Sequence, residues 1–183
     1  MKGLRGEAVE FPKGRGDLAI RFSDRHLPDG GKPRTVAMWI NAGPQPISHG
    51  VYFRYGRPEP TTAFTLITYQ KDQALPLASS IFLSQHGSDA PATMVVGRTV
   101  IIDSKWHHVA VTYDGRVASL FIDGQLEDRK SLAKTTALTG EAMIGNYFPE
   151  PALGPHGYTG LIDEFQLYDR VLTDEEIGQL AMP

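Results

Sequence analysis

Apolar residues recur along this chain in short runs of three to nine, broken by turn residues, and many runs are rich in β-branched and aromatic side chains. That pattern reads as strands. It predicts them over 7–11, 17–22, 35–41, 50–55, 63–69, 80–83, 93–96, 100–102, 106–113, 118–122, 142–144 and 160–168. Asp114-Gly115 and Asp123-Gly124 each follow an apolar run, and Asp-Gly after a strand is a strong short-range hairpin signal, so 106–122 is predicted to be an antiparallel hairpin. Runs such as 35–41 and 106–113 carry apolar residues at both parities, which suggests central strands covered on both faces. One helix is predicted, near the end. Thr173 can N-cap it, Glu176 can close a capping box, Asp174 and Glu175 suit the first turn, and Ile177 and Leu180 give an apolar i, i+3 spacing. A nearly all-strand chain with frequent turns implies a sandwich or barrel.

Composition narrows this. The 183 residues fit one domain, 1–183, with no internal repeat at a period of 20–50 residues. Gly 19 and Pro 13 account for the turns. There is no Cys, which removes disulfides, thiolate metal sites and Cys nucleophiles. Lys+Arg 18 against Asp+Glu 21 gives a net charge of -3, which argues against a nucleic-acid partner or an anionic membrane surface. No apolar run is long enough for membrane insertion. The first residues, Met1-Lys2-Gly3-Leu4-Arg5-Gly6, lack the apolar stretch of a signal peptide. Gly-x-Ser-x-Gly is absent, and the glycines at 14, 16, 30 and 31 lack the strand–loop–helix setting of a phosphate site. His107 and His108, adjacent on a strand, are expected on opposite faces, one in the core or an interface and the other exposed.

Two segments carry a resemblance. Trp106-His107-His108-Val109-Ala110-Val111-Thr112-Tyr113-Asp114-Gly115, followed by Leu120-Phe121-Ile122-Asp123-Gly124, resembles the hairpin of laminin-G-like domains in the concanavalin A-like lectin/glucanase superfamily. Gly160-Leu161-Ile162-Asp163-Glu164-Phe165-Gln166-Leu167-Tyr168, then the stretch from Arg170 to Ile177, resembles that family's closing strand and terminal helical turn. The resemblance implies an all-β fold, a jelly-roll sandwich of two antiparallel sheets with a short C-terminal helical turn. It implies one module of a longer protein placed outside the cell, in the periplasm or at the cell surface.

Hydrolases on this fold commonly carry paired carboxylates on one strand, in a pattern like Glu-x-Asp-x-x-Glu. No predicted strand here has that spacing. The chain therefore reads as a non-catalytic module that recognises a carbohydrate or mediates adhesion. The alternatives are a structural spacer or protein–protein interaction module contacting neighbouring domains of the parent chain, and a divergent glycoside hydrolase. A glycan needs aromatic platforms with polar edges. The candidates are Trp39, whose face includes Asn41; Tyr52 and Tyr55, with Arg54 and Arg57 beside them; and Tyr147 and Phe148 in a Pro-stiffened segment. Strict alternation from Leu161 to Tyr168 places Asp163 on an apolar face with Leu161, Phe165 and Leu167. A carboxylate there needs a partner. Backbone N–H groups or a basic side chain would serve; the resemblance implies a structural calcium, with Asp163 as its ligand.

Overall fold

The computed structural model describes residues 1–13, 18–43, 49–57, 62–69, 81–84, 94–133, 135–146 and 157–183, with the backbone alone at 49, 69 and 81–84. Along the chain these form β1 (Val9–Phe11), β2 (Ile20–Phe22), β3 (Arg34–Ala42), β4 (His49–Gly56), β5 (Ala63–Tyr69) and β6 (Ile81–Ser84). Then follow β7 (Val95–Val96), β8 (Trp106–Tyr113), β9 (Val117–Ile122), β10 (Gln125–Ser131), β11 (Ala142–Ile144), β12 (Gly160–Tyr168) and helix α1 (Asp174–Leu180). The strands make two six-stranded antiparallel sheets, ordered β1-β12-β3-β8-β9-β10 and β2-β11-β4-β5-β6-β7. This is the jelly-roll sandwich that the sequence implies.

Alternation builds the core. Val36, Met38 and Ile40 of β3 and Val109, Val111 and Tyr113 of β8 point inward, against Tyr52, Phe53, Tyr55, Phe64 and Leu66 of the second sheet. The opposite parity of the first sheet is buried too. Ala37, Ala110 and Phe121 form a smaller cluster on its outer face, roofed by Leu172 and Ile177. That explains why β3 and β8 are apolar at both parities. Helix α1 has the expected capping box: Glu176 N–H donates to the Thr173 hydroxyl, and the Glu176 carboxylate accepts from Thr173 N–H. Arg170 forks onto the same carboxylate at 3.0 and 2.7 Å, which holds the Glu176 carboxyl down at about 2.

Both Asp-Gly turns form, in different ways. Asp123-Gly124 links β9 to β10 as a two-residue turn with φ of 51° and 77°, the left-handed pair that a type I′ hairpin needs. Asp114-Gly115-Arg116 links β8 to β9, with the Asp114 carboxylate accepting from the N–H groups of Arg116 and Val117.

Three expectations change. The stretch 100–102 is not a strand, although Ile101 is fully buried. β10, with sequence QLEDRKS, has no apolar alternation because it is an edge strand of its sheet. Its register slips between Leu126 and Asp128, and the acids there tie down the preceding loop. The Glu127 carboxylate accepts from Arg98 and Thr99 N–H, and Asp128 from Val96 N–H at 2.9 Å. Third, β12 does not alternate strictly. A β-bulge between Asp163 and Gln166, with Glu164 at φ 48°, resets its parity. Ile162, Phe165 and Leu167 pack on the inner core, while Asp163 pairs across to outward-facing Trp39.

Candidate functional site

β1, β3 and β12 end together, with Phe11 paired to Gly160 and Gly160 to Ala42. Between them opens a cleft of about 240 Å³ lined by Glu10, Phe11, Lys13, Asn41, Thr159 and Gly160. Glu10 and Lys13 are exposed and Asn41 is half-buried. The floor needs a glycine: a Cβ on Gly160, at φ 141°, would sit 2.4 Å from both the Asn41 carbonyl and the Tyr158 hydroxyl. That hydroxyl lies 3.1 and 3.0 Å from the carbonyls of Asn41 and Leu161 and holds the two strand ends together.

The predicted aromatic platforms separate. Tyr52 and Tyr55 lie in the core with no exposed surface, in place of the solvent-facing position that a sugar platform requires. The reason is local. Register slips between Val51 and Phe53, and both rings turn toward the first sheet. Tyr52 stacks at a tilt on Tyr158, 4.7 Å between centroids, and its oxygen accepts from the Thr68 hydroxyl at 2.6 Å; burial pushes its phenol well up. Tyr55 accepts from the Arg34 guanidinium at 2.5 Å and donates to the Pro28 carbonyl, and burial pushes its phenol up to about 12. Arg34 is itself fully buried among the rings of Tyr55, Phe64 and Tyr113, and it donates to Thr136 and to the carbonyls of Lys32 and Gly30. Tyr147 and Phe148 lie outside the described residues. Before them, at Gly145, a Cβ would strike the Phe11 ring.

Trp39 faces outward but is 5 % exposed. It stands in a row across the first sheet, Asp163–Trp39–His108. The N-terminal turn folds over this row. Lys2 and Glu7 form a bridge, Gly3 N–H donates to the Gly6 carbonyl, and Ala8 N–H donates to the Met1 carbonyl. Arg5 N–H donates to Asp163 Oδ2 at 3.0 Å, and the Arg5 guanidinium reaches the Met182 carbonyl past the end of α1.

Asp163 is therefore not a carboxylate on an apolar face. The bulge turns it outward, and its two oxygens accept from Arg5 N–H and from its own neighbour Glu164 N–H at 2.9 Å. Calcium needs oxygen ligands. N–H donors aim their positive ends where the cation would sit, so the residues as placed do not fit a calcium ion held through Asp163. Among the described residues no group of three His, Asp or Glu side chains is arranged to hold a metal.

The two histidines do take opposite faces, yet both are buried, at 9 % and 2 % exposure. His107 lies between carboxylates, with Nδ1 2.8 Å from Asp123 and Nε2 3.2 Å from Asp103. His108 packs edge-on to Trp39, 5.3 Å between centroids, and its Nδ1 has no hydrogen-bond partner among the described residues. Burial pushes the His108 imidazole down to about 4. Sequence reasoning missed Glu10, Lys13, Arg5 and His108 as site-forming groups. Only His108 left a signal, as the polar residue at an outward parity next to Ala110.

The comparisons bear on the whole chain. Domain 4 of AbnA, a GH43 extracellular arabinanase from Geobacillus stearothermophilus, solved with arabinotriose, superposes with a TM-score of 0.75 at 22 % identity, covering 100 % of this chain and 80 % of that one. The CBM40 of the Ruminococcus gnavus IT-sialidase, also solved with α2,3-sialyllactose, has a TM-score of 0.68 at 14 % identity and covers 96 % and 97 %. The mouse laminin α1 LG4-5 domains have a TM-score of 0.62 at 18 % identity, covering 86 % of this chain and 40 % of that one. No curated protein sequence matches. At these identities the structures share the fold, and the family is carried by a sequence profile: the chain belongs to Laminin_G_3 of the concanavalin A-like lectin/glucanases superfamily, which matches residues 14–178.

Proposed function

We propose that this domain is a non-catalytic carbohydrate-binding module of a larger secreted protein, and that the cleft at the sandwich end grips an oligosaccharide. The observation that carries the reading is the division of labour among its acids. Asp24, Asp114, Asp123, Glu127, Asp128 and Asp163 each accept backbone N–H bonds and act as structural ties. Glu10, in contrast, stands exposed in the cleft beside Lys13 and Asn41. Planar acid and amide groups on a rigid rim suit the paired hydroxyls of a sugar. The sequence offers Tyr147 and Phe148 as the candidate stacking aromatics, which the substitution below tests. Two structural neighbours solved with sugars, one of them part of an extracellular arabinanase, support the reading. Binding is independent of calcium in this reading, because N–H donors hold Asp163.

Affinity electrophoresis against arabinan and a panel of plant and animal polysaccharides tests it. Retardation that weakens in Lys13→Ala and Phe148→Ala supports the reading. A folded protein that no polysaccharide retards overturns it in favour of a spacer. Hydrolysis of any of them would overturn the non-catalytic assignment.

A further inference from the structure

On the outer face of the first sheet, a small cavity of about 10 Å³ lies beneath the N-terminal turn, bounded by Arg5, Trp39, His108, Glu164, Gln166 and Leu180. It has room for about one water molecule. His108 lines it at 2 % exposure, with Nδ1 unpartnered. A buried polar atom left without a partner is destabilising. Glu164, at the mouth, is held at φ 48°, a left-handed conformation that non-glycine residues seldom take and that clusters at ligand sites. The walls are rigid, since Trp39 and His108 are cross-strand partners in the middle of a six-stranded sheet.

The roof is built differently. Before Ala8, the apolar side chains of the N-terminal turn are Met1, which is exposed, and Leu4, which is half-buried. It is held by its own backbone bonds, by Arg5 N–H on Asp163 and by the Arg5 guanidinium on the Met182 carbonyl. Lifting it uncovers the Trp39 indole, which the apolar face of a sugar can cover again, and water can replace most of the broken backbone bonds.

We propose that this cavity is a second, gated sugar site: when the N-terminal turn lifts, the Trp39 ring and the His108, Gln166 and Glu164 side chains receive one neutral pentose or hexose residue. The chemistry is specific to that class. The indole offers an apolar ring for the sugar's C–H face. A neutral imidazole both donates to and accepts from hydroxyls. Gln166 Oε1 already accepts from the Tyr168 hydroxyl, which fixes the amide with its N–H₂ as donor. Glu164 accepts hydroxyl protons and disfavours acidic sugars. The proposal shares its ligand class with the cleft reading but does not use Glu10, Lys13 or Asn41.

The test is an NMR titration of the intact domain, following the Trp39 indole N–H and the His108 ring, with methyl glycosides of arabinose, xylose, glucose, galactose and mannose up to roughly 100 mM, a range suited to weak sugar affinities. At least one sugar should shift both signals. Arg5→Ala, which removes the guanidinium tie to Met182, should strengthen that binding about fivefold by raising the open fraction. His108→Phe should abolish it while leaving the domain folded and no less stable. A domain in which no sugar shifts Trp39, in wild type and in Arg5→Ala alike, overturns the proposal. So does binding that Arg5→Ala weakens. Lys13→Ala separates the two sites: it lowers retardation by polysaccharide if the cleft reading holds, and leaves the Trp39 titration unchanged whether or not it does.

Discussion

His107 and His108 are neighbours in the chain, and the two regions they occupy are opposite solutions to burying an imidazole. At the inner end of β8, His107 has a carboxylate on each nitrogen, and both carboxylates reach solvent in part. On the outer face, His108 meets an indole, a guanidinium roof and no hydrogen bond at Nδ1. The first arrangement is complete and needs nothing further. The second is under-satisfied, and strand pairing over-determines it: His108 N–H donates to Asp123, and Asp123 N–H donates to the His108 carbonyl, so the backbone cannot turn the ring away. Where a fold holds an unsatisfied polar group with a rigid backbone, strain reads as a reservoir for binding.

The largest effect should be that of pH on the outer region. Burial, opposed by Asp123 and reinforced by Arg5, lowers the His108 imidazole from 6.5 to about 4. The unfolded chain then binds a proton that the folded chain refuses. This contribution to stability is complete above about pH 6.5 and is lost as pH falls toward about 4, on the order of 3 kcal/mol at most. Comparing urea unfolding of the wild type and His108→Phe from pH 7 to pH 4 isolates it. The wild type should lose more stability than the variant across that window, and parallel pH profiles would contradict the outer-face picture.

A smaller effect should come from the inner region. His107→Ala removes the partner of Asp123 Oδ2 and one partner of Asp103 Oδ1. Asp103 keeps Lys105, and Asp123 Oδ1 keeps His108 N–H, so the loss should be about 1–2 kcal/mol in thermal or urea unfolding. His108→Phe should go the other way and leave stability level or raised. Opposite signs at adjacent positions are the sharpest form of the comparison.

The N-terminal roof can be probed without touching either ring. A Cβ at Gly3 would lie 2.4 Å from Asp163 Oδ2 and 2.8 Å from Ala8 N, so Gly3→Ala must push the turn off the sheet. Because the loss falls on a few backbone bonds and on part of the cover over Trp39, the cost should be about 1–2 kcal/mol in global unfolding. Amide exchange at Arg5 and Ala8 should quicken by a larger factor than exchange in β8. Equal changes in both would mean that the turn unfolds only with the whole domain.

Much of the fold was legible because its signals are local. Apolar runs bounded by turn residues gave β5, β8, β11 and β12 their bounds, Asp114-Gly115 gave the β8–β9 hairpin, and Thr173 with Glu176 gave α1. The bulge in β12 was not legible. Its marker is Glu164 in a left-handed conformation, which no residue type announces, and one extra residue reverses the parity of everything on one side of it. That slip alone turned Asp163 from the core face to the outer face. β10 escaped because an exposed edge strand carries charges in place of an apolar pattern. The aromatic platforms misled for another reason. Tyr52 and Tyr55 look like surface aromatics in a Gly- and Arg-rich stretch, but their hydroxyls find Thr68, Arg34 and the Pro28 carbonyl inside the sandwich. Long-range partners of that kind cannot be read from spacing.

The smallest expected effect is an absence of one, and it tests what closes the outer face. If N–H donors fill Asp163, millimolar calcium should leave the melting temperature unchanged, and a chelator should do nothing to protein purified without added metal. The decisive form uses Gly3→Ala alongside the wild type, since that variant loosens the hold of Arg5 on the carboxylate. A rise in melting temperature with calcium in the wild type would mean that the ion displaces Arg5 N–H and recruits carbonyl oxygens from the N-terminal turn. The turn would then be a metal-held strap, and the gating proposed for the His108 cavity would acquire calcium dependence. A rise only in Gly3→Ala would show that Asp163 can hold an ion but that the native turn keeps it out. No rise in either would leave the backbone bonds of Arg5 and Glu164 as the full account of this carboxylate.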